Sequence, residues 1–281
     1  MSVSLRIGII GGGGWLGGAI AGSILDAGLV EPRNLSLSYR SEQPRRFPNS
    51  FLTTDNQALA DRSDVIILSV RPDDWRALDV EAGGKLVISV MAGIRLDALS
   101  ERHNTGRVIR ALPNAAAEVA KSYTPWIGAS DVTEDDRALV RAIFQACGSE
   151  DEVARESDID YLTGLSGSGP AFPALLAAAM MRDAVANGLP AEIARRAVNT
   201  VITGAGRLLE RQDESPDDVV QTFLGYRGTT AAAIEGMRAA GFNASVAEGL
   251  SAAFKKSVSM GDASDNRWSG SCGAPLSKTG R

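Results

Sequence analysis

The stretch Gly8-Ile9-Ile10-Gly11-Gly12-Gly13-Gly14-Trp15-Leu16-Gly17-Gly18, GIIGGGGWLGG, carries more glycine than a strand or helix interior tolerates, because glycine loses the most backbone freedom on folding. The residues on either side decide what it is for. Leu16, Ile20, Ile24 and Ala27 recur at i, i+4, i+8 and i+11, which predicts a helix from about Trp15 that stops at Gly28. Leu5-Arg6-Ile7-Gly8-Ile9-Ile10, just before the run, has the short apolar character of a strand. Strand, glycines and helix together form a G-x-G-x-x-G turn framed by Gly12, Gly14 and Gly17. The first glycine permits the tight turn, the second lets backbone approach a pyrophosphate, and the third lets helix and strand pack closely. In this frame Gly11 and Gly13 are extra, and a frame one residue earlier meets Leu16 where the third glycine belongs. Phosphates would rest on the positive end of the helix, beside Trp15 and Leu16.

The end of the second strand distinguishes one dinucleotide from another. NAD sites place an acid there for the ribose 2′-hydroxyl, whereas NADP sites use arginine and small hydroxyls for a phosphate. Here the strand closes Tyr39-Arg40-Ser41, and the nearest acid, Glu42, comes later. Arg40 offers a planar cationic fork and Ser41 a hydroxyl, so NADPH is the expected cofactor.

Further strand-like runs are Leu35-Ser36-Leu37-Ser38-Tyr39, Val65 to Val70, Lys85 to Val90 and Arg107-Val108-Ile109-Arg110, alternating with helical segments at 16–27, 95–102 and 134–147. Apolar runs of this kind predict βα units and a parallel sheet. From Asp158 onward the pattern becomes alanine-rich and helical, near 171–187, 190–210, 216–222, 230–239 and 243–260. The expected architecture is α/β: an N-terminal Rossmann domain with a parallel sheet at 1–155, an all-α C-terminal domain at 156–260, and a Gly- and Ser-rich tail at 261–281.

Bulk properties narrow the function classes. The 281 residues carry 29 basic and 34 acidic side chains, a net charge of −5, which supplies no basic field for a nucleic-acid backbone. No membrane span or signal peptide is apparent, and a cytoplasmic protein is expected. Cys147 and Cys272 have no metal-ligand spacing, so no metal site is expected. The single histidine, His103, lies in the polar run Ser100-Glu101-Arg102-His103-Asn104 and reads as a solvated loop residue.

Four motifs in order carry a resemblance: Val70-Arg71-Pro72, Leu112-Pro113-Asn114, Thr163-Gly164-Leu165-Ser166-Gly167-Ser168-Gly169-Pro170-Ala171-Phe172, and Gly228-Thr229-Thr230 at the start of an alanine-rich helix. Over roughly residues 5–260 the chain resembles the pyrroline-5-carboxylate reductases, NADPH-linked enzymes that make proline; the ten-residue run from Thr163 to Phe172 is that family's most specific signature. The resemblance implies cofactor contacts at Asn56, Val70, Arg71, Pro72, Ala92 and Asn114. It also implies a homodimer or higher homo-oligomer paired through the helical domain, with the substrate a small cyclic imine. Thr230 is the residue implied beside the imine nitrogen, with Ser166 near it, and Gly228, Thr229 and Thr230 hold the substrate carboxylate.

One loop departs from the pattern. Gly225-Tyr226-Arg227-Gly228-Thr229-Thr230 stands where the family has S-P-G-G-T-T, so Arg227 replaces a glycine and adds a cation. Either a guanidinium grips the carboxylate or a different cyclic imine or imino acid is accommodated; a non-catalytic NADPH-binding protein is a third alternative. Two other classes fit less well. Ser166 lacks the G-x-S-x-G spacing of a hydrolase nucleophile, and the helical half has no lysine before Lys255 and Lys256 to serve a β-hydroxyacid dehydrogenase.

Overall fold

The computed structural model describes residues 5–210 and 215–265. Contacts divide the chain into two compact units, one running to Gly167 and resuming at Ala253, the other Ser168–Ala252.

The first unit is built on an eight-stranded sheet of order β3-β2-β1-β4-β5-β6-β7-β8. Strands β1 (Ile7–Ile10), β2 (Leu35–Ser38), β3 (Phe51–Thr53), β4 (Val65–Leu68), β5 (Leu86–Ser89) and β6 (Val108–Ala111) run parallel. Strand β7 (Ser122–Gly128) is antiparallel to β6, and β8 (Gly148–Glu152) is parallel to β7. Alternate strand residues feed two separate cores, as the pleat requires. Ile7, Ile9, Ile67, Ile88 and Ile109 pack on one face with Ile20 and Ile24 of α1 (Trp15–Asp26) and with Ile143 and Phe144 of α5 (Glu134–Cys147). Ile10, Ile66, Leu68, Val87 and Val108 pack on the other with Leu59 of α2 (Asn56–Asp61), Trp75 of α3 (Pro72–Trp75) and Leu99 of α4 (Leu96–His103). A sheet covered on both sides explains the near-continuous apolar runs.

Strands β3, β7 and β8 escape the sequence pattern for physical reasons. β3 has three residues, Pro125 interrupts β7, and β8 is the polar edge Gly-Ser-Glu-Asp-Glu.

The compact first unit extends past residue 155 because α6 (Glu156–Leu162) and the π turn Thr163–Gly167 stay with the sheet. Arg110, on β6 and only 2% exposed, reaches Glu156 at 3.0 Å and Asp160 at 2.6 Å. Glu156 Oε1 also accepts from the Leu96 amide at 3.0 Å, capping α4 from outside, and Asp160 accepts from Ser257 Oγ at 3.3 Å. Ser257 belongs to α11 (Phe242–Asp265), so residues 261–265, expected as the start of a tail, are helical. Gly93 lies so near Met260 that a Cβ on it would sit 2.8 Å from the Met260 Cβ, and this docking outweighs the weak helix propensity of the end of α11. The rest of the tail, 266–281, and Cys272 lie outside the described residues.

Within the second unit, α7 (Ala171–Ala186) packs on α8 (Ala191–Glu210) across a stop at Gly188, φ +90°, where the Leu189 amide returns to the Ala184 carbonyl. Helices α9 (Pro216–Gly225) and α10 (Thr229–Ala239) form a second packed pair. Large apolar side chains here stay open to solvent, Leu175 at 68% and Val201 at 53%.

His103 overturns its expected place in a solvated loop. It is 1% exposed, in the last turn of α4, with Nδ1 2.9 Å from the Val80 carbonyl and Nε2 accepting from the Trp75 indole at 3.3 Å. Leu96, Leu99 and His103 share the inner face of α4 at i, i+3 and i+7, so helical spacing outweighs the polar neighbours. Burial holds the imidazole below its ordinary pKa, keeping it neutral in the fold while the unfolded chain takes up the proton. His103 therefore costs nothing above about pH 6.5 and destabilises progressively as pH falls below it. Denaturant midpoints followed from about pH 7.5 down to 5 should fall more steeply in wild type than in His103→Gln; equal slopes contradict this assignment.

Candidate functional site

The glycine run closes β1 against its neighbours. Gly11 has φ +83°, and a Cβ there would lie 2.4 Å from the Ser69 carbonyl oxygen just past β4. Gly17 packs on the turn itself: its Cβ would lie 2.5 Å from the Gly11 carbonyl oxygen. Gly12 is pressed against Leu37 and Gly13 against Tyr39, at 2.7 and 2.8 Å for an added Cβ. Gly11 and Gly13, extra in the expected frame, are therefore required by packing. Gly11 in particular is the one residue of the run in the left-handed region. Ser38, buried at the end of β2, holds both: its Oγ accepts from the Gly11 amide and its carbonyl from the Gly13 amide, each at 3.0 Å. Nothing in the sequence marked Ser38 beyond a hydroxyl standing in an apolar strand.

Gly14 is the N-cap of α1 in extended conformation and makes no side-chain capping bond. Among the described residues the amides of Trp15, Leu16 and Gly17 have no acceptor, since the first bond of the helix runs from Gly18 to Gly14. An uncapped helix start behind side-chain-free glycine is the environment a phosphate needs.

A cleft of about 670 Å³ opens over this turn, between the ends of β1, β2 and β4. Gly14, Arg40, Ser41, Asn56, Val70 and Arg71 line it, together with Tyr39, Thr54 and Asp74. Asp55 seats Asn56 there by capping α2, accepting from the Gln57 and Ala58 amides. Arg71 is the N-cap of α3 and Pro72 its first residue. Gly12 and Gly17 lie beneath as buried supports, and Leu16 follows on α1. Trp15 is 58% exposed and its indole donates to Glu118. Ala92, in the turn after β5, and Asn114, after β6, are not part of this lining. The switch in strand order on either side of β1 is where such sheets bind dinucleotides. Arg40, 80% exposed, and Ser41 stand at the β2 end, so the residues present fit a dinucleotide bearing a 2′-phosphate.

The signature run begins in the π turn. Ser166 Oγ donates to the Leu162 carbonyl at 2.9 Å, and the Ser166 carbonyl accepts from Asn114 Nδ2 at 3.0 Å. Gly167 clears Leu112, whose Cδ2 would lie 2.8 Å from an added Cβ. Asn114 also caps the following turn through the Ala116 amide. In the second unit, Gly228 is the N-cap of α10 without a side-chain bond, and Thr229 and Thr230 are the first helical residues. Among the described residues their hydroxyls make no capping bond. Arg227 takes φ +52°, a conformation that favours glycine.

Comparison with known proteins adds six matches. Residues 156–260 match the family model for pyrroline-5-carboxylate reductase dimerisation, and residues 6–93 match that for NADP oxidoreductase, coenzyme F420-dependent. The chain is 32% identical to a pyrroline-5-carboxylate reductase of Synechocystis over 92% of this chain and 99% of that one, and 31% identical to the Arabidopsis thaliana enzyme over 90% and 95%. The crystal structure of Plasmodium falciparum pyrroline carboxylate reductase with NADP bound superposes with a TM-score of 0.78, at 26% identity over 92% of this chain and 98% of that one. A Coxiella burnetii pyrroline-5-carboxylate reductase shares the fold, with a TM-score of 0.83 over 92% and 99% of the two chains at 24% identity. No helix among the described residues is long and apolar enough to cross a membrane, and no cluster there could hold a metal ion.

The glycine geometry has a measurable consequence. Gly11→Ala combines a left-handed backbone with a clash against Ser69 and should cost roughly 3 kcal/mol or more. Gly28→Ala, at φ +68° with nothing near its Cβ, should cost only about 1–2 kcal/mol. Urea denaturation of the two variants checks the ordering.

Proposed function

The chain belongs to the pyrroline-5-carboxylate reductase family, and on that premise we propose that it reduces 1-pyrroline-5-carboxylate to L-proline with NADPH in the cytoplasm. The observation that carries this reading is the glycine cradle facing Arg40 and Ser41 across one cleft. When bound, NADPH supplies the hydride, transferred from nicotinamide C4 to the C=N carbon.

The protein contributes placement. Gly14 and the open amides of α1 hold the pyrophosphate, Arg40 and Ser41 the 2′-phosphate, and Asn56, Val70 and Arg71 the wall beside the ribose. Pro72 sets the turn behind that wall, while Ala92 and Asn114 serve the nicotinamide end. Holding donor and acceptor carbons at near-attack distance accounts for roughly 7 kcal/mol or more in well-oriented systems. A cyclic imine protonates near neutral pH, so a hydroxyl suffices where a strong acid would otherwise be needed. Thr230 is the group we assign to orient or relay that proton. Ser166, whose own proton is committed to Leu162, serves as acceptor. The amides at the start of α10, with Gly228 and Thr229, suit the carboxylate.

Arg227 favours a second reading, in which the same fold reduces a different imino acid, because its left-handed backbone places a cation where a glycine would be unstrained. Both readings are tested by one panel of imines with NADPH and NADH. Wild type should form proline from 1-pyrroline-5-carboxylate, and Arg40→Ala should raise KM for NADPH about tenfold or more with little change for NADH. If Arg227 grips the carboxylate, Arg227→Ala should impair acidic imines alone. No turnover of 1-pyrroline-5-carboxylate alongside turnover of another imine selects the second reading, and no turnover of any imine refutes both.

The exposed apolar side chains of α7 and α8 support a homodimer formed through the helical region, since a patch of this kind on a soluble chain marks an interface. Light scattering on the purified protein should report at least a dimer; a fully active monomer contradicts it.

A further inference from the structure

The cleft holds an acid that the cofactor assignment does not use. Asp74 Oδ1 lies 3.3 Å from Arg40 Nη1, joining the two walls of the cleft near the β2 end. The partners come from elements 34 residues apart, and nothing in helix or strand periodicity brings them together. Charged side chains in the lining are Arg40 and Arg71 against Glu42 and Asp74, two of each sign, so the formal charge of the cleft is zero. A 2′-phosphate brings close to two negative charges near neutral pH and needs the same guanidinium face that Asp74 occupies.

We propose that Asp74 is a specificity-determining residue that competes with the 2′-phosphate for Arg40 and so narrows the enzyme's preference for NADPH over NADH. This rests on the placement of the 2′-phosphate at Arg40 given above. Both members of the pair are substantially exposed, 80% and 44%, so the pair is weak enough to be given up to a phosphate yet still subtracts from the advantage that the phosphate gives NADPH. A dinucleotide without the phosphate leaves the Arg40–Asp74 pair intact and gains nothing from its removal. Asp73, next on α3, is outside the lining and provides a control of equal charge.

Calorimetric titration with 2′,5′-ADP and with 5′-AMP reads the effect directly, without turnover. Asp74→Asn and Asp74→Ala should bind 2′,5′-ADP about three- to fivefold more tightly than wild type, with 5′-AMP unchanged and Asp73→Asn like wild type. In an Arg40→Ala background the gain from Asp74→Asn should disappear. The proposal is overturned if the Asp74 variants bind 2′,5′-ADP no better than wild type, if both nucleotides tighten equally, if Asp73→Asn matches Asp74→Asn, or if the gain survives without Arg40. Wild-type binding that ignores the 2′-phosphate would remove the placement of that phosphate, and the proposal with it.

Discussion

Three backbone segments meet at the end of β1 with no side chain between them. Gly17 of α1 rests on the carbonyl of Gly11, and Gly11 rests on the carbonyl of Ser69 beyond β4. This stacking fixes how closely α1 approaches the sheet, hence where its open amides point and how deep the cleft is. The approach is possible only because neither residue carries a Cβ, and Ser38 locks it by occupying the amides of Gly11 and Gly13. With those two amides spent internally, the amides left for a ligand are the ones at the start of the helix.

Elements whose identity comes from burial were legible in the sequence. The five long apolar runs became β1, β2, β4, β5 and β6, and α5 and α8 follow their periodicity to within a residue. The helices after Ala171 were legible for the same reason. What stayed hidden depends on neighbours rather than on local pattern. β7 contains Pro125 and β8 is polar, yet each is held by ladder bonds to the strand beside it. α6 offers no amphipathic stripe longer than two turns and owes its place to one buried arginine. His103 has the polar neighbours of a solvated residue, but the helical face it shares with Leu96 and Leu99 buries it.

The candidate site divides along the same line. Gly14, Arg40, Ser41, Asn56, Val70 and Arg71 come together in one cleft, as strand ends at a switch in sheet order must. The choice among the glycines was not decidable from spacing, since Gly11 and Gly13 are needed by the packing of Ser69 and Tyr39, groups distant in sequence. Asp74 was likewise silent, because its meaning arises only opposite Arg40.

The first unit is discontinuous, and that bears on how the chain matures. Asp160 and the Gly93 turn receive Ser257 and Met260 only when the last helix is present. During translation the sheet emerges first, but its final strut leaves the ribosome after the entire second unit has been synthesised. The nucleotide-binding half therefore completes that flank only after the helical half has been synthesised, and the nascent chain carries it open from the end of β8 at Glu152 until the last turns of α11 are made.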